Sequence, residues 1–466
     1  MRTRTEKDSM GAMEVPEDAL YGASTRRAML NFPVSGWRLP DAMIYTLGLL
    51  KRLAARANCE LGRLSPELAG WIEAAAGEVQ DGKLNRHFPL DVFQTGSATS
   101  SNMNANEVIA NRAIQLAGGV VGSKTPVHPN DHVNMGQSSN DIMPTCLQVA
   151  AARAVHDDLM PAINLLRHTL DDKARLFAKF IKIGRTHLQD ATPVTMGQVF
   201  GGYAALVAEG QERLRSAVER LQSLPLGGTA VGTGLNCHPK FPGLVIAGLN
   251  AETGLNFREA DNHFAAQSLL SNVASAMAEL KVFALTLHKI VNDVRFLASG
   301  PRCGYGELQL PAIQPGSSIL PGKVNPVICE SVMQVAAWVA GAEAAVAMGV
   351  ATLSNFELCV AVPLLSYNLL ESVRLLANVT RVLVASALDG LGCQVEQCAA
   401  TVENSLALCT GLVPAVGYDA AAEVAKTAFA SGQTVREVAA ARGLLAPDAL
   451  AAALDPQKML APGGEV

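Results

Sequence analysis

Apolar residues recur along much of the chain with the period of an α-helix. The clearest stretch is 255–299, which contains neither Gly nor Pro. Within it, apolar side chains follow alternating steps of four and three residues, the spacing that lines one face of a helix. These positions are Ala266, Leu270, Val273, Met277, Leu280, Ala284, Leu287, Val291, Val294 and Ala298. A second stripe repeats every seven residues beside the first, at Leu269, Ala276, Phe283, Ile290 and Leu297. The pattern predicts one helix across 255–299 with a wide apolar face.

Two adjacent apolar stripes need more than one neighbouring helix to cover them, which predicts a helical bundle. Because the segment is long and carries little charge, we expect other copies of the chain to supply part of this cover. An ordinary core helix of a monomer is the alternative. Further long helices are predicted for 142–180, with a kink or break at Pro161, for 199–224 and for 327–348.

Strand-like alternation is rare, no βαβ rhythm occurs, and no repeat of 20 to 50 residues is present, so the predicted fold class is mainly α. Two polar or Gly-rich segments, 134–141 and 390–392, interrupt the helical pattern. They predict an N-terminal, mixed but mostly helical domain at 1–138, a central long-helix bundle domain at 139–392 and a small helical C-terminal domain at 393–466.

Composition narrows the classes of protein that the chain can be. Hydrophobic residues make up 49% of the chain and charged residues 17%, which excludes intrinsic disorder. The formal net charge is −5 and no strongly basic stretch is present, so nucleic acid is not an expected partner. Charged residues interrupt the apolar runs before they reach the roughly 18 residues of a membrane span, so no membrane segment is predicted.

The N-terminal segment MRTRTEKDSMG mixes acids with bases and lacks the apolar core of a secretion signal, so we expect a cytoplasmic location. The nine cysteines form no C-x-x-C pair, which favours reduced, packed thiols over disulfides or a zinc framework. The histidines show no ligand spacing, and neither H-E-x-x-H nor G-x-S-x-G occurs. These patterns disfavour a metal site and the usual serine-hydrolase arrangement.

Polar residues collect in Gly-rich loops between the helical runs. The clearest is QPGSSILPGKVNP at 314–326, which combines the hydroxyls of Ser317 and Ser318, the cation of Lys323, and Asn325 followed by a proline, a favourable start for the next helix. A lysine beside a helix N-terminus attracts a carboxylate. A capped turn whose serines satisfy backbone groups is the alternative. The density of polar groups favours anion binding.

Three further loops carry candidate chemistry. Segments 96–104 (GSATSSNMN) and 137–141 (QSSND) precede helical runs, and helix capping accounts for one or two of their polar residues but not for all. Segment 184–193 places His187 among polar neighbours, where an acid–base role competes with the structural role more usual for a lone histidine. Segment 227–234 lacks the Gly-Lys-Ser/Thr ending of a phosphate loop, and we interpret it as a tight backbone turn.

Taken together, these segments closely resemble the fumarase/aspartase superfamily and, within it, the metal-independent class II fumarate hydratases. The resemblance covers nearly the whole chain, through the motifs EKDSMGAMEVPEDALYGASTRRA, QTGSATSSNMNANEVIANR, HPNDHVN, GQSSND, GRTHLQDATPVT, LGGTAVGTGLN, NDVRFLASGPRCG, GSSILPGKVNP, NFEL and GYDAAAEVAKTA. It implies a three-domain, mainly α subunit that assembles through its long helices as a homotetramer with a helical core. It also implies active sites built from loops of three subunits, a small dicarboxylate substrate and no cofactor.

The resemblance further implies a reaction, the anti addition of water to fumarate, giving L-malate through an aci-carboxylate intermediate. By this analogy, Ser317 takes the carbon-bound proton, and His187, with Glu330 as its ion-pair partner, acts at the leaving water or hydroxyl. Lys323 and Asn325 bind the carboxylate that accumulates charge. The other substrate-binding positions are Ser97, Thr99, Ser138, Ser139, Asn140 and Thr186, and a possible secondary dicarboxylate site comprises His128, Asn130 and Asp131.

Two alternatives remain open within this group. Aspartate ammonia-lyases share the scaffold, but the motifs QTGS, HPND and NFEL favour water over ammonia as the leaving group. Ser139, where those lyases usually carry Thr, favours water as well. A non-catalytic structural relative is the second alternative, and the intact Ser317, Lys323, Asn325 and His187 disfavour it.

A few positions depart from the family pattern. Ala98 stands where Gly is usual, and Cys359 and Ala361 replace the commoner Asn and Phe after NFEL. Thr125 and Pro126 occupy positions before HPND that are often basic. The last departure weakens the expectation of a secondary dicarboxylate site.

Overall fold

A computed structural model of the chain describes residues 2–462. Helices hold 62% of the residues and strands 8%, which confirms the mainly α fold class. The first helices are α1 (Ala23–Asn31), α2 (Asp41–Glu60), α3 (Pro66–Gln80), α4 (Thr99–Leu116), α5 (Ser139–Ala154) and α6 (Met160–Leu176). Next come α7 (Met196–Leu221), α8 (Phe241–Thr253), α9 (His263–Ser268), α10 (Ser271–Leu297), α11 (Val327–Thr352) and α12 (Val362–Leu383). The last are α13 (Val395–Asn404), α14 (Val413–Val416), α15 (Tyr418–Ser431), α16 (Val435–Ala441) and α17 (Pro447–Ala453).

The strands are short and occur in pairs. They are β1 (Thr3–Asp8), β2 (Gly11–Pro16), β3 (Ile181–Thr186), β4 (Gln189–Thr195), β5 (Ser223–Leu224), β6 (Arg258–Glu259), β7 (Leu308–Gln309), β8 (Ser354–Asn355), β9 (Leu358–Cys359) and β10 (Gly392–Cys393). The antiparallel pairs are β1–β2, β3–β4, β7–β10 and β8–β9, whereas β5 and β6 are parallel. Two of these hairpins, β3–β4 and β8–β9, lie at segments that carry candidate site residues or support them.

The single helix predicted for 255–299 is wrong. The segment folds as β6, α9 and α10, because α9 ends at Ser268 and the next residue, Leu269, has an extended backbone (φ −138°, ψ 112°). Asn262 caps the first turn of α9 with its side chain. Gln267 Nε2 donates to Thr229 O at 2.8 Å. This hydrogen bond holds α9 against segment 227–234, which we call the Gly-rich turn. The apolar period conceals this break because no Gly or Pro marks it.

Both apolar stripes predicted for this segment are buried along α10. Phe283 and Ile290, on the second stripe, are 0% exposed, whereas Leu269, in the break before α10, is 47% exposed. A single chain therefore covers the wide face of α10. The expectation that other copies are needed to cover these stripes is wrong.

Helix α11, in contrast, remains largely open in a single chain. It is long and apolar enough to cross a membrane, and only 33% of its most apolar window is buried. Trp338 and Met348 are among its exposed apolar side chains. Glu343 is one of the charged residues that interrupt the apolar runs in the sequence, but the helix continues through it. One such helix is weak support for a membrane, since core helices meet the same criterion.

The other long helices are confirmed with shifted ends. Segment 142–180 folds as α5 and α6, joined by a π-helical turn at Val155–Leu159. This turn lies directly before Pro161, where the sequence predicts a kink. Segments 199–224 and 327–348 correspond to α7 and α11.

The described residues form two compact units, each drawn from three stretches of the chain. The first unit comprises the described residues of Met1–Pro161, Gly210–Ala284 and Val335–Ala377, and the second those of Ala162–Glu209, Leu285–Gln334 and Asn378–Val466. In the first unit, α2 packs closely on α3, since a Cβ at Gly48 would lie 2.6 Å from Gln80 N. The three-domain division at 138 and 392 stays a prediction.

Candidate active site

The loop before α4 joins three hydroxyl groups in one chain of hydrogen bonds. Ser97 Oγ lies 2.7 Å from Thr99 Oγ1, which lies 2.7 Å from Ser139 Oγ at the start of α5. Between the first two, buried Ala98 adopts a left-handed conformation with φ of 59°. That conformation costs a non-glycine residue about 1–2 kcal/mol. The turn therefore forms with alanine where glycine is usual, but its conformation is less stable than it would be with glycine.

The turn at Ser138–Asn140 is fixed by the N-terminal cap of α5. Ser138 Oγ accepts a hydrogen bond from Asn140 N at 3.2 Å, and Asp141 Oδ1 accepts one from Ser138 N at 2.8 Å. This reciprocal pair is a capping box. Asn140 Nδ2 donates to Ala230 O at 2.8 Å, in the Gly-rich turn. Ser138, Ser139 and Asn140 are half-buried, so a small ligand can reach them.

Asp141 is a buried carboxylate outside the predicted set of site residues. Its Oδ2 accepts hydrogen bonds from Gly227 N at 3.0 Å and from Thr229 N at 3.1 Å. Burial raises the pKa of the Asp141 carboxyl, while backbone N–H donors oppose that rise. The carboxylate therefore ties the 227–234 segment, confirmed as a tight backbone turn, to the start of α5. The capping-box spacing from Ser138 is the sequence pattern that could have identified it.

The segment after NFEL supports the loop before α4. Gly96 O accepts a hydrogen bond from Val362 N at 2.9 Å. A Cβ at Gly96 would lie only 2.0 Å from Val360 O, so no side chain fits there. Cys359 and Ala361, two of the departures from the family pattern, are buried in this segment. They therefore alter the packing behind the loop.

The β3–β4 hairpin presents Thr186 and His187 at an exposed tip. His187 and Leu188 are its two central residues, with φ of 55° and 61°. Positive φ at both central positions is the requirement of a type I′ turn, whose twist matches that of the flanking strands. The hairpin therefore holds the histidine clear of the surrounding chain.

A buried ion cluster fixes the base of this hairpin. The Glu307 carboxylate is 0% exposed and lies 2.6 Å from Arg185 Nη2 and 3.3 Å from Lys182 Nζ. The Arg185 guanidinium stacks over the Tyr305 ring at 4.4 Å. No sequence pattern predicts this cluster, because the contacts among its residues depend on the tertiary fold.

The loop before α11 surrounds the Ser317 hydroxyl with backbone donors. Ser317 Oγ accepts hydrogen bonds from Ile319 N at 3.2 Å and from Leu320 N at 3.0 Å. Donors aimed at an oxygen favour its anionic form. These contacts are those of the capped turn given above as the alternative for this loop, and the same donors would also stabilise negative charge on the serine oxygen.

The same loop is closed at its base. Gly316 N donates to Lys323 O at 2.7 Å, and Asn325 Nδ2 donates to Gly316 O at 2.6 Å. Lys323 and Asn325 line a cleft of about 1030 Å³ in the second unit, together with Arg295 and Arg302. The cationic lining suits an anionic ligand.

The candidate residues fall into two groups. The first unit holds Ser97, Thr99, Ser138, Ser139 and Asn140, which direct or linked hydrogen bonds bring together. The second unit holds Thr186, His187, Ser317, Lys323, Asn325 and Glu330. Within residues 2–462 of one chain, His187 and Glu330 form no ion pair with each other, so the predicted pair is not made inside a single chain.

The possible secondary site is a cavity of about 160 Å³ in the first unit. His128 and Asn130 line it, together with carboxyl groups of Glu6, Asp8 and Glu107 and the amino groups of Lys7 and Lys124, whereas Asp131 does not line it. His128 Nδ1 accepts backbone hydrogen bonds from Asn130 and Asp131. The secondary site stays a prediction. Across residues 2–462, no group of three or more His, Cys, Asp or Glu side chains is placed to hold a metal ion.

Comparison with protein families gives two matches. A family model described as lyase matches residues 11–341, and one described as fumarase C C-terminus matches residues 408–461. A class II fumarate hydratase from Thermosynechococcus vestitus is 49% identical, over 95% of this chain and 95% of the relative. A class II fumarate hydratase from Halobacterium salinarum is 50% identical, over 98% of this chain and 97% of the relative.

Comparison with solved structures also finds a class II fumarase. The crystal structure of recombinant class II fumarase from Schistosoma mansoni matches with a TM-score of 0.96 at 37% identity, over 98% of this chain and 99% of that chain. Two family models, whole-length sequence identity and a shared fold agree. The chain therefore belongs to the lyase family, within the group of the class II fumarate hydratases.

Proposed function

We propose that the chain catalyses the reversible hydration of fumarate to L-malate without a cofactor. Membership of the family supports this reaction. The observation that carries it is the environment of Ser317, whose Oγ accepts two backbone hydrogen bonds in a loop that also bears Lys323. That arrangement suits a reaction in which an oxygen base removes a proton near a carboxylate.

In the direction from malate to fumarate, the Ser317 alkoxide takes a proton from the carbon next to one carboxylate. The electron pair of the broken C–H bond moves into that carboxylate and gives a doubly charged aci-carboxylate. Lys323 and Asn325 stabilise the new charge. Preorganised donors of this kind are each worth on the order of 10²- to 10³-fold in rate. The hydroxyl on the neighbouring carbon then leaves on the opposite face.

The neutral polar groups of the first unit suit the rest of the substrate. Ser97, Thr99 and Ser139 form a linked set of hydroxyls that can donate to a carboxylate. Asn140 offers an amide in the adjoining turn. Thr186 and His187 complete the site from the β3–β4 hairpin, with His187 supplying the proton that converts the leaving hydroxyl to water.

The sites are proposed to form between copies of the chain in a cytoplasmic homotetramer. Two observations support the assembly. Helix α11 leaves most of its apolar window open in one chain, and a second copy of α11 is an apolar surface of the same length. His187 and Glu330 do not pair within one chain, so the ion pair that the resemblance implies would have to form between copies.

The test is to offer L-malate, fumarate and L-aspartate separately to the purified protein. We expect malate and fumarate to interconvert, followed by the ultraviolet absorbance of the conjugated double bond, and we expect the rate to survive a metal chelator. Aspartate should release no ammonia. Ammonia release without malate turnover would identify an aspartate ammonia-lyase instead, and turnover of none of the three substrates would contradict the proposal.

A further inference from the structure

A lysine lies fully buried beside the Ser138–Asn140 turn. Lys51, on α2, is 0% exposed. Its Nζ donates to Asn134 Oδ1 at 3.0 Å and to Gln137 Oε1 at 2.8 Å. Burial lowers the pKa of Lys51 to about 7, opposed by the negative charge of Asp141. Burying a lysine costs free energy when neither of its hydrogen-bond acceptors is a carboxylate, and both acceptors of Lys51 are neutral amides. The contacts of Lys51 therefore require an explanation.

Both acceptors belong to one short segment, which we call the 134–137 turn. Asn134 Nδ2 donates to Gln137 O at 3.1 Å, and Gln137 Nε2 donates to Val133 O and to Met135 O, each at 3.2 Å. Each amide therefore uses its NH₂ group to shape the backbone and its oxygen to bind the lysine. Lys51 is the common donor that orients both side chains.

Other buried groups hold the same turn. Asn102 Nδ2 donates to Asn134 Oδ1 at 3.1 Å, and Asn58 Nδ2 donates to Met135 O at 3.1 Å. The turn ends at Gln137, and the next residue is Ser138, the cap of α5. A displacement of the turn is therefore passed directly to the residues proposed to bind substrate.

We propose that Lys51 is a positioning residue that fixes the 134–137 turn and, through it, the substrate-binding residues Ser138, Ser139 and Asn140. Lys51 is buried and does not touch the substrate. Removing its amino group leaves Gln137 Oε1 without its donor and Asn134 Oδ1 with only the hydrogen bond from Asn102 Nδ2, so these amides are held less firmly and release the backbone that they shape. Since a displacement of about 1 Å in a binding group can cost on the order of 100-fold in rate, the effect reaches catalysis.

The test compares three variants of the full-length protein. Lys51→Met keeps the length of the side chain but removes the donor, and Lys51→Gln restores an NH₂ donor. Leu53→Ala is the matched control, because Leu53 lies on the same helix, is buried, and packs towards Gly248 rather than the turn. Two measurements are made: hydrogen exchange of the backbone amides in 134–141, and the separate values of kcat and KM for malate.

We expect Lys51→Met to lose exchange protection in 134–141 and to lower kcat/KM by about 10- to 100-fold, with KM rising more than kcat falls. Lys51→Gln should recover part of both properties. Leu53→Ala should lower the melting temperature yet keep the protection of 134–141 and the KM of the unchanged protein. If Lys51→Met yields no folded protein, the comparison of Lys51→Gln with Leu53→Ala decides: Lys51→Gln should lose part of the exchange protection in 134–141, and Leu53→Ala should not.

Wild-type protection and kcat/KM in Lys51→Met would overturn the proposal. The same local loss in Leu53→Ala would overturn it too, because the effect would then reflect general destabilisation. The inference rests on the proposed function for its kinetic consequence only. If the unchanged protein fails to turn over malate, the proposed hydration fails, while the exchange measurement still decides whether Lys51 fixes the turn.

Discussion

The proposed reaction requires Ser317 to act as a base, which a serine in water does not do because its alkoxide is too high in energy. In the structure, Ile319 N and Leu320 N both donate to its oxygen. Lys323 adds a positive charge in the same loop. Hydrogen bonds to the charged form of a group favour that form, and they are stronger where closure of a loop excludes water.

For Ser317→Ala we expect kcat to fall on the order of 10³-fold or more, because the proton acceptor is lost while the groups that bind substrate remain. The melting temperature and the proposed tetrameric state should be unchanged, since the hydroxyl lies in a surface loop. Ser318→Ala is the matched control, one residue away and exposed. Turnover in Ser317→Ala within tenfold of that control, at about the same KM, would contradict the assignment.

Some residues of the candidate site can be predicted from the sequence, and others cannot. The loop that carries Ser317, Lys323 and Asn325 is recognisable from its density of polar side chains. The donors to Ser317 are backbone groups, which no side-chain pattern records. The spacing from Ser138 indicates Asp141 as a cap, but no sequence pattern indicates that Asp141 and Lys51 are buried, because burial follows from the packing of helices distant in sequence.

At the scale of elements, two close approaches shape the site. The loop before α4 touches the segment after β9 through Gly96, where a Cβ would meet Val360 O at 2.0 Å. The carbonyl of Gly96 also accepts from Val362 N. Glycine is therefore required there by space, and Cys359 and Ala361 complete the packing behind it.

Gly96→Ala should destabilise the protein by about 2 kcal/mol or more, because the new methyl group forces the loop and the segment after β9 apart. KM for malate should rise as Ser97 and Thr99 are displaced. Gly70→Ala is the control, since Gly70 lies in α3 with open space around its Cβ position. There alanine should stabilise by up to about 1 kcal/mol. Urea unfolding measures the free energy of unfolding of both variants. Equal values for the two variants would contradict the prediction.

The long helices were predictable as elements, but their ends and breaks were not. Apolar periodicity located α5, α6, α7 and α11 because each buries a stripe of side chains. The same periodicity predicted α9 and α10 as one helix. It does not show the break at Leu269, because that break depends on the contact of Gln267 with Thr229 O rather than on a helix-breaking residue. Tertiary hydrogen bonds of this kind leave no periodic pattern.

At the scale of the whole molecule, the exposed apolar face of α11 is the structural reason to expect several copies of the chain to associate. The sequence pattern had suggested α10 for this role. The stripes of α10 are buried within one chain, whereas α11 leaves Trp338 and Met348 exposed. An apolar helix that its own chain does not cover is stabilised by packing against another copy. The candidate site residues lie in two compact units, and the proposed sites draw on more than one copy.

The central claim, that catalytic groups from different copies form each site, is tested most directly by hybrid tetramers. Ser317→Ala and Asn140→Ala remove groups that lie in different units, and each variant alone should be a nearly inactive tetramer. The two variants are co-expressed with different affinity tags, and hybrids are purified through both tags.

If each site takes Ser317 and Asn140 from different chains, random mixing restores both groups at about one quarter of the sites, and about that share of malate turnover should return. Sedimentation must show that the hybrids are tetramers. Hybrid tetramers as inactive as either parent would contradict the account, because the two groups would then belong to one chain.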